Sequence, residues 1–170
     1  MRWLQLVATV LVVAAPLPTW ALEGEREVSV ALVAGPAEAS EPTSGVAGGI
    51  DGQVLWHTSD FWAFGLAGRS RAWSSPWNAG GALAAEAMAR WTLDALQWIP
   101  SLGLSAGYQV EAPIGRRGPS ARIEASLAYR QQRERAWVFR VQHETTKDST
   151  RVLLAVGLIW YSGKGTTLEL

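Results

Sequence analysis

From Glu27 onward, apolar and polar side chains alternate with period two along most of the chain, the pattern of strands with one apolar face. The clearest stretch is Thr150 to Tyr161. Val152, Leu154, Val156, Leu158 and Trp160 fall on one side, and Arg151, Leu153, Ala155, Gly157, Ile159 and Tyr161 on the other. Seven earlier stretches read the same way. Glu27 to Gly35 sets Val28, Val30, Leu32 and Ala34 against Ser29, Ala31 and Val33. Ser44 to Trp56 sets Val46, Ile50, Val54 and Trp56 against Ala47, Asp51, Gln53 and Leu55. Phe61 to Trp73 places Trp62, Phe64 and Leu66 opposite Ala63, Gly65, Ala67, Arg69 and Arg71.

Gly81 to Leu93 is Ala-rich, with Glu86 and Arg90 four apart, and on propensity alone would suit a helix. Period two also fits, and its neighbours demand a strand. Trp98 to Val110, with Pro100 near its start, Ala121 to Arg130 and Trp137 to Glu144 complete the set. Loops and turns are expected at Pro36–Thr43, His57–Asp60, Ser74–Gly80, Asp94–Gln97, Ala112–Ser120, Gln131–Arg135 and Thr145–Ser149. Eight strands of this length fit an all-β fold: an eight-stranded antiparallel up-and-down transmembrane β-barrel.

Aromatic positions sharpen this reading. Trp 10 exceeds Phe 3 and Tyr 3 together, and Trp concentrates where membrane meets water. With the strands threaded up and down from a periplasmic N-terminus, Trp56, Trp62, Trp91, Trp98, Tyr129, Trp137 and Trp160 all fall at the periplasmic ends, with outward parity. They form an expected aromatic girdle. Trp73, Trp77 and Tyr108 would mark the other end more loosely.

The inward face is small or charged: Asp51, Arg69, Glu86, Arg90, Arg122, Glu124, Arg140 and Glu144. Charges confined in so narrow a barrel must pair. The hairpin of the sixth and seventh strands predicts Glu124 near Arg140 or Gln142, and Arg122 near Gln142 or Glu144. A packed polar core is the simpler reading of this network, and a solute path the sharper one. A soluble lipocalin-like barrel would be apolar inside and polar outside, the reverse of this parity.

The N-terminus reads as an export signal over residues 1–21: Arg2, an apolar run from Leu4 to Ala15, and small residues around Trp20, with cleavage after Ala21. Residues 22–161 would then form the barrel and 162–170 a short tail. The formal net charge of zero offers nothing to nucleic acid, and the absence of cysteine excludes disulfides and thiolate metal sites. Two histidines cannot build a His-rich metal site, and no cofactor or metal is expected. His57 falls in a turn and is expected to be solvated.

With its leader, its alternation from Glu27 to Tyr161 and the stretch Trp98-Ile-Pro-Ser-Leu-Gly-Leu-Ser-Ala-Gly-Tyr108, the chain resembles the small eight-stranded outer-membrane barrels of the OmpA transmembrane domain and OmpX class. The resemblance implies a monomer in the bacterial outer membrane, in contact with lipid and lipopolysaccharide and inserted by the barrel-assembly machinery. The chain departs from that class in its short outer loops and in the nine residues after Tyr161. His143-Glu144-Thr145 suggests a second possibility. Barrel lipid A deacylases place a His, a hydroxyl nucleophile and an acid on the lipid-facing wall. By that likeness His143 would be the base, Thr145 the nucleophile and Glu144 or Asp148 the orienting acid. The family's His-x-Ser-Asn is His-Glu-Thr-Thr here, and Glu144 has inward parity. The reading favoured by the residues is therefore a non-enzymatic barrel serving envelope integrity or anchoring, with a lipid-modifying enzyme and a narrow pore as alternatives.

Overall fold

The computed structural model describes residues 24–37, 45–74, 79–93, 97–112, 115–132, 134–147 and 149–162. The expected signal segment, Trp77, Asp148 and the tail beyond Ser162 lie outside them. Eight strands run in order: β1 (Arg26–Pro36), β2 (Val46–His57), β3 (Trp62–Ser74), β4 (Ala79–Thr92), β5 (Trp98–Ala112), β6 (Arg116–Gln132), β7 (Arg135–Thr146) and β8 (Thr150–Ser162). Each pairs antiparallel with its neighbour in sequence, and β1 pairs with β8, so the sheet closes without an edge. The closing register sets Val28 opposite Trp160 and Val30 opposite Leu158.

Closure puts one face of every strand inside. In β8, Arg151, Leu153, Ala155, Ile159 and Tyr161 are buried, while Leu154 on the other parity is 63% exposed. The same inversion runs around the barrel, with Leu32, Leu66, Leu83, Leu104 and Ile123 outside and Asp51, Glu86, Arg122 and Glu124 inside. A continuous apolar exterior around a charged interior is the arrangement of a barrel surrounded by lipid.

β4 is a strand, with Leu83 exposed and Met88 buried. Helix propensity differs by only tenths of a kcal/mol per residue. A helix here would leave the facing edges of β3 and β5 without backbone partners. The expected loop from Ala112 to Ser120 is shorter than the sequence indicates. β5 continues to Ala112, and β6 begins at Arg116 and pairs with β5 as Glu111↔Arg116. β7 stops at Thr146, opposite Ser120, so β6 rises past it by several residues.

His57 is not a solvated turn residue. It is the last residue of β2, 3% exposed, with inward parity after Gln53 and Leu55. The turn starts one residue later, where the backbone N–H of Thr58 donates to the Trp62 carbonyl at 2.9 Å. The Ser59 hydroxyl oxygen there accepts from the N–H groups of Phe61 and Trp62.

Two inward glycines mark close strand approach. A Cβ on Gly65 would stand 1.9 Å from the carbonyl oxygen of Val54, and one on Gly107 2.0 Å from that of Ala85. Apolar clusters lie in the lumen on either side of the charged zone. Leu55, Ala63, Ala67 and Met88 form one near the start of β1, beside another of Ile99, Ala128, Ala136, Val138, Ile159 and Tyr161. Ala31, Val33, Ala37, Ala47, Leu153 and Ala155 pack at the other end.

Candidate functional site: the charged interior

Among the described residues five carboxylates and six arginines are buried, all on inward strand positions. Ten of them form the interior network: Glu27, Asp51, Glu86, Glu124 and Glu144 against Arg69, Arg71, Arg90, Arg122 and Arg140. That core is neutral in sum. The sixth arginine, Arg151, lies apart at the far mouth.

The upper half of the network centres on Asp51, fully buried on β2. Its carboxylate accepts from Arg71 Nη1 at 2.5 Å, Arg122 Nη1 at 3.0 Å and Gln142 Nε2 at 2.6 Å. Beside it, Arg69 spans Glu86 at 2.8 Å and Glu144 at 3.0 Å, and Arg71 also pairs with Glu144. The hydroxyls of Ser105 and Ser120 donate to Glu86 at 2.7 and 2.9 Å. In the lower half, Arg90 lies between Glu27 and Glu124, 2.9 Å from the latter, and donates to Gln53. Gln53 in turn donates to Glu124 at 3.0 Å. Arg122 joins the halves, with Nε 3.9 Å from Glu124 and Nη2 3.6 Å from Glu86.

Arginine suits this position because its planar fork meets two carboxylates at once and keeps its charge. Burying so many charges is tolerable only because nearly every one has a partner. Arg140 is the exception. It is 2% exposed and donates to the Ser29 hydroxyl at 2.8 Å, while its Nε and Nη1 have no hydrogen-bond partner among the described residues.

All eight charges picked out in the sequence, Asp51, Arg69, Glu86, Arg90, Arg122, Glu124, Arg140 and Glu144, are inside. The partners differ from those expected across the hairpin. The register does place Arg122 opposite Glu144 and Glu124 opposite Gln142. The side chains nevertheless reach across the lumen, Arg122 to β2 and β4 and Glu124 to β2 and β4. In an eight-stranded barrel inward side chains converge on one axis, so distant strands are as near as adjacent ones. Sequence reading missed Glu27 and His57 and left Arg71 out of the network, although parity marks all three. Glu27 pairs with Arg90 and lies 3.5 Å from His57 Nε2.

Aromatic residues close the ends from inside. Trp73 belongs to the interior rather than to a ring around the far end. It packs on the apolar cluster of β1, β2 and β8, with the Arg151 guanidinium 4.4 Å from its ring centre. Arg151 Nε also donates to the Ala37 carbonyl at 2.8 Å. Odd parity on β3, shared with Arg69 and Arg71, was the available signal. At the opposite end Tyr161 is buried, with Arg130 5.0 Å over its ring.

On the outer face, Trp56, Trp62, Trp98, Trp137 and Trp160 are exposed, and Trp91 and Tyr129 are half-buried. All seven stand near the barrel end where β1 begins. Trp62 pairs across strands with Trp91, and Tyr129 lies between Trp98 and Trp137. The Trp98 and Tyr129 rings are 4.8 Å apart. Tyr108 is exposed towards the other end. His143 and Thr145 are outward-facing, with His143 between Ile123 and Val152. Glu144 points the other way, held by Arg69 and Arg71, and cannot orient His143.

Comparison with solved structures matches the whole barrel. OprG of Pseudomonas aeruginosa superposes with a TM-score of 0.62 at 8% identity, covering 83% of this chain and 97% of that one. Neisserial surface protein A gives 0.60 at 13% identity, with 82% and 97% covered. The N-terminal β-barrel domain of P. aeruginosa OprF gives 0.59 at 12%, with 82% and 98% covered. The fold is that of the small eight-stranded outer-membrane barrels. No protein-family model matches the sequence, and no curated protein matches it.

Proposed function

We propose that this protein is a monomeric, non-enzymatic outer-membrane barrel that contributes to envelope integrity or anchoring. The observation that carries this reading is the filled interior. Asp51, Arg71, Arg122, Gln142 and Glu144 interlock across the lumen, and apolar side chains pack on either side of them. A rigid, neutral and closed barrel suits a structural wall element better than a conduit. The exposed aromatics at one end and the apolar belt beyond them support insertion in a bilayer, with that end at the periplasm. Export through residues 1–21, insertion by the barrel-assembly machinery and contact with lipopolysaccharide complete the proposal.

Three measurements test it. Cells lacking the protein should become more permeable to bulky hydrophobic antibiotics, and the wild-type chain should restore the barrier. Purified barrel incubated with lipopolysaccharide should release no fatty acid, with or without His143→Ala. Release abolished by that substitution would sink the non-enzymatic reading. Planar bilayers should show no discrete conductance steps, and a stable open level would instead favour a pore.

A further inference from the structure

We propose that the far mouth of the barrel is divided in two. Trp73 and Arg151 latch shut the half bounded by β3, β2, β1 and β8, and a polar vestibule between β5 and β7 admits water on the other. The division is the same whichever face of the membrane the mouth adjoins, and so is independent of the function proposed above.

The latch joins two strands that are not neighbours in the sheet, since β2 and β1 separate β3 from β8 on this side. Trp73, near the end of β3 and opposite Ala47 of β2, lies over the apolar cluster that includes Val33, Ala47 and Leu153. From β8 the Arg151 guanidinium meets the ring 4.4 Å from its centre, and its Nε donates to the Ala37 carbonyl at 2.8 Å. A guanidinium over an indole face is attracted by the ring quadrupole, more strongly where water is excluded. Ring and guanidinium together span four strands. On its other flank the ring lies against the backbone of β4. Trp73 stands opposite Gly80, where a Cβ would come within 2.8 Å of the ring.

Below the latch the wall is apolar and closed. Val33, Ala47, Leu153 and Ala155 are each 4% exposed or less. Four residues on from Ala47, on the same inner face of β2, is Asp51, the fully buried centre of the upper network. The latch therefore stands between outside water and that carboxylate.

The vestibule half is lined differently. β7 ends at Thr146, opposite Ser120, while β6 runs on to Arg116 beside β5. The recess left by this step measures about 60 Å³, and its lining includes Gln109, Glu111, Gly118 and Thr146, all of inward parity. That is room for a few waters among polar partners, whereas an apolar gap of the same size stays dry. Ser120, the next inward residue below Gly118, donates its hydroxyl to the buried Glu86 carboxylate at 2.9 Å. The vestibule thus ends on the ion network at Glu86, and solvent from the far side approaches the charges there rather than over Asp51.

The chain has no cysteine, so single cysteines report water access without background. Gln109→Cys and Gly118→Cys probe the vestibule, the latter at a position where a Cβ meets nothing within 4 Å. Ala47→Cys probes the latched half. Each refolded mature barrel, in detergent micelles, is treated with a small charged methanethiosulfonate, and its rate is read by mass spectrometry against the urea-unfolded chain. Both vestibule cysteines should react at least about tenfold faster than Ala47→Cys, whose exposure requires local opening. Adding Trp73→Ala should bring Ala47→Cys to within about threefold of the vestibule rate and leave Gln109→Cys unchanged. Gly80→Ala should act in the same direction by pushing the ring aside, with both latch residues intact. Equal rates at Ala47 and Gln109 with Trp73 present, unreactive vestibule cysteines, or an Ala47→Cys rate unmoved by Trp73→Ala would each overturn the proposal. A heat-dependent gel-mobility shift shows which samples have closed. Should a variant fail to close, Arg151→Met stands in for Trp73→Ala and Ala155→Cys for Ala47→Cys, with the same expected rates.

Discussion

At the scale of single residues, Arg90 and Arg140 make an informative contrast. Both are buried to about the same extent on inward positions. Arg90 is clasped by Glu27 and Glu124, whereas among the described residues Arg140 has one hydroxyl partner and no carboxylate within 4 Å. Removing Arg90 takes the nearest cation from two buried carboxylates, so Arg90→Met should destabilise the barrel by about 3–5 kcal/mol in urea unfolding from lipid vesicles. Arg140→Met removes a charge that is itself poorly compensated, and the loss of one hydrogen bond is worth only about 1 kcal/mol. Its stability should stay within about 1 kcal/mol of wild type or rise. Equal losses for both variants would show that the cross-lumen pairs are not what stabilises this core. Which residues carry charge inward was legible from parity alone. Which carboxylate each arginine takes was not, because strands far apart in sequence meet at the barrel axis.

Elements are governed by closure. β4 has the composition of a helix and the environment of a strand, and two flanking ladders decide it. Glycines report the same constraint. Gly65 and Gly107 sit where a Cβ would overlap a neighbouring carbonyl oxygen, while a Cβ on Gly52 or Gly68 would meet nothing within 4 Å. Gly65→Ala and Gly107→Ala should therefore reduce the yield of heat-modifiable, closed barrel in refolding assays. Gly52→Ala and Gly68→Ala should refold as well as wild type or better, since alanine also removes chain entropy from the unfolded state. A uniform loss at all four positions would mean that the outward glycines have a purpose the barrel geometry does not reveal. Strand ends moved, by one residue at His57 and by five at Arg116, because pairing continues wherever a partner strand is still alongside.

For the whole molecule, the outward aromatics and the inward ones should respond differently to lipid. Lipids brominated near the headgroup should quench single-tryptophan variants retaining Trp56, Trp98, Trp137 or Trp160. A variant retaining Trp73 should be shielded, because that ring packs inside the barrel against Arg151. Strong quenching of Trp73, or none of the outward set, would contradict the membrane orientation proposed here. The outer wall and the filled lumen thus have separate signatures, one read through lipid contact and the other through stability.

Alternation along the chain determined by itself that there are eight strands, which side of each faces out, and that seven aromatics gather at one end. Those properties depend on residue spacing, and a period of two survives whatever the strands pair with. Only the closed barrel decided that Arg122 takes Asp51 rather than Glu144, and that β6 stands above β7 at the far rim. Those properties depend on distances across the axis and along the rim. The aromatic end of β8 had the clearest pattern in the sequence, yet its inward partner Tyr161 gained a neighbour, Arg130, only when β8 came to lie beside β7 and β1.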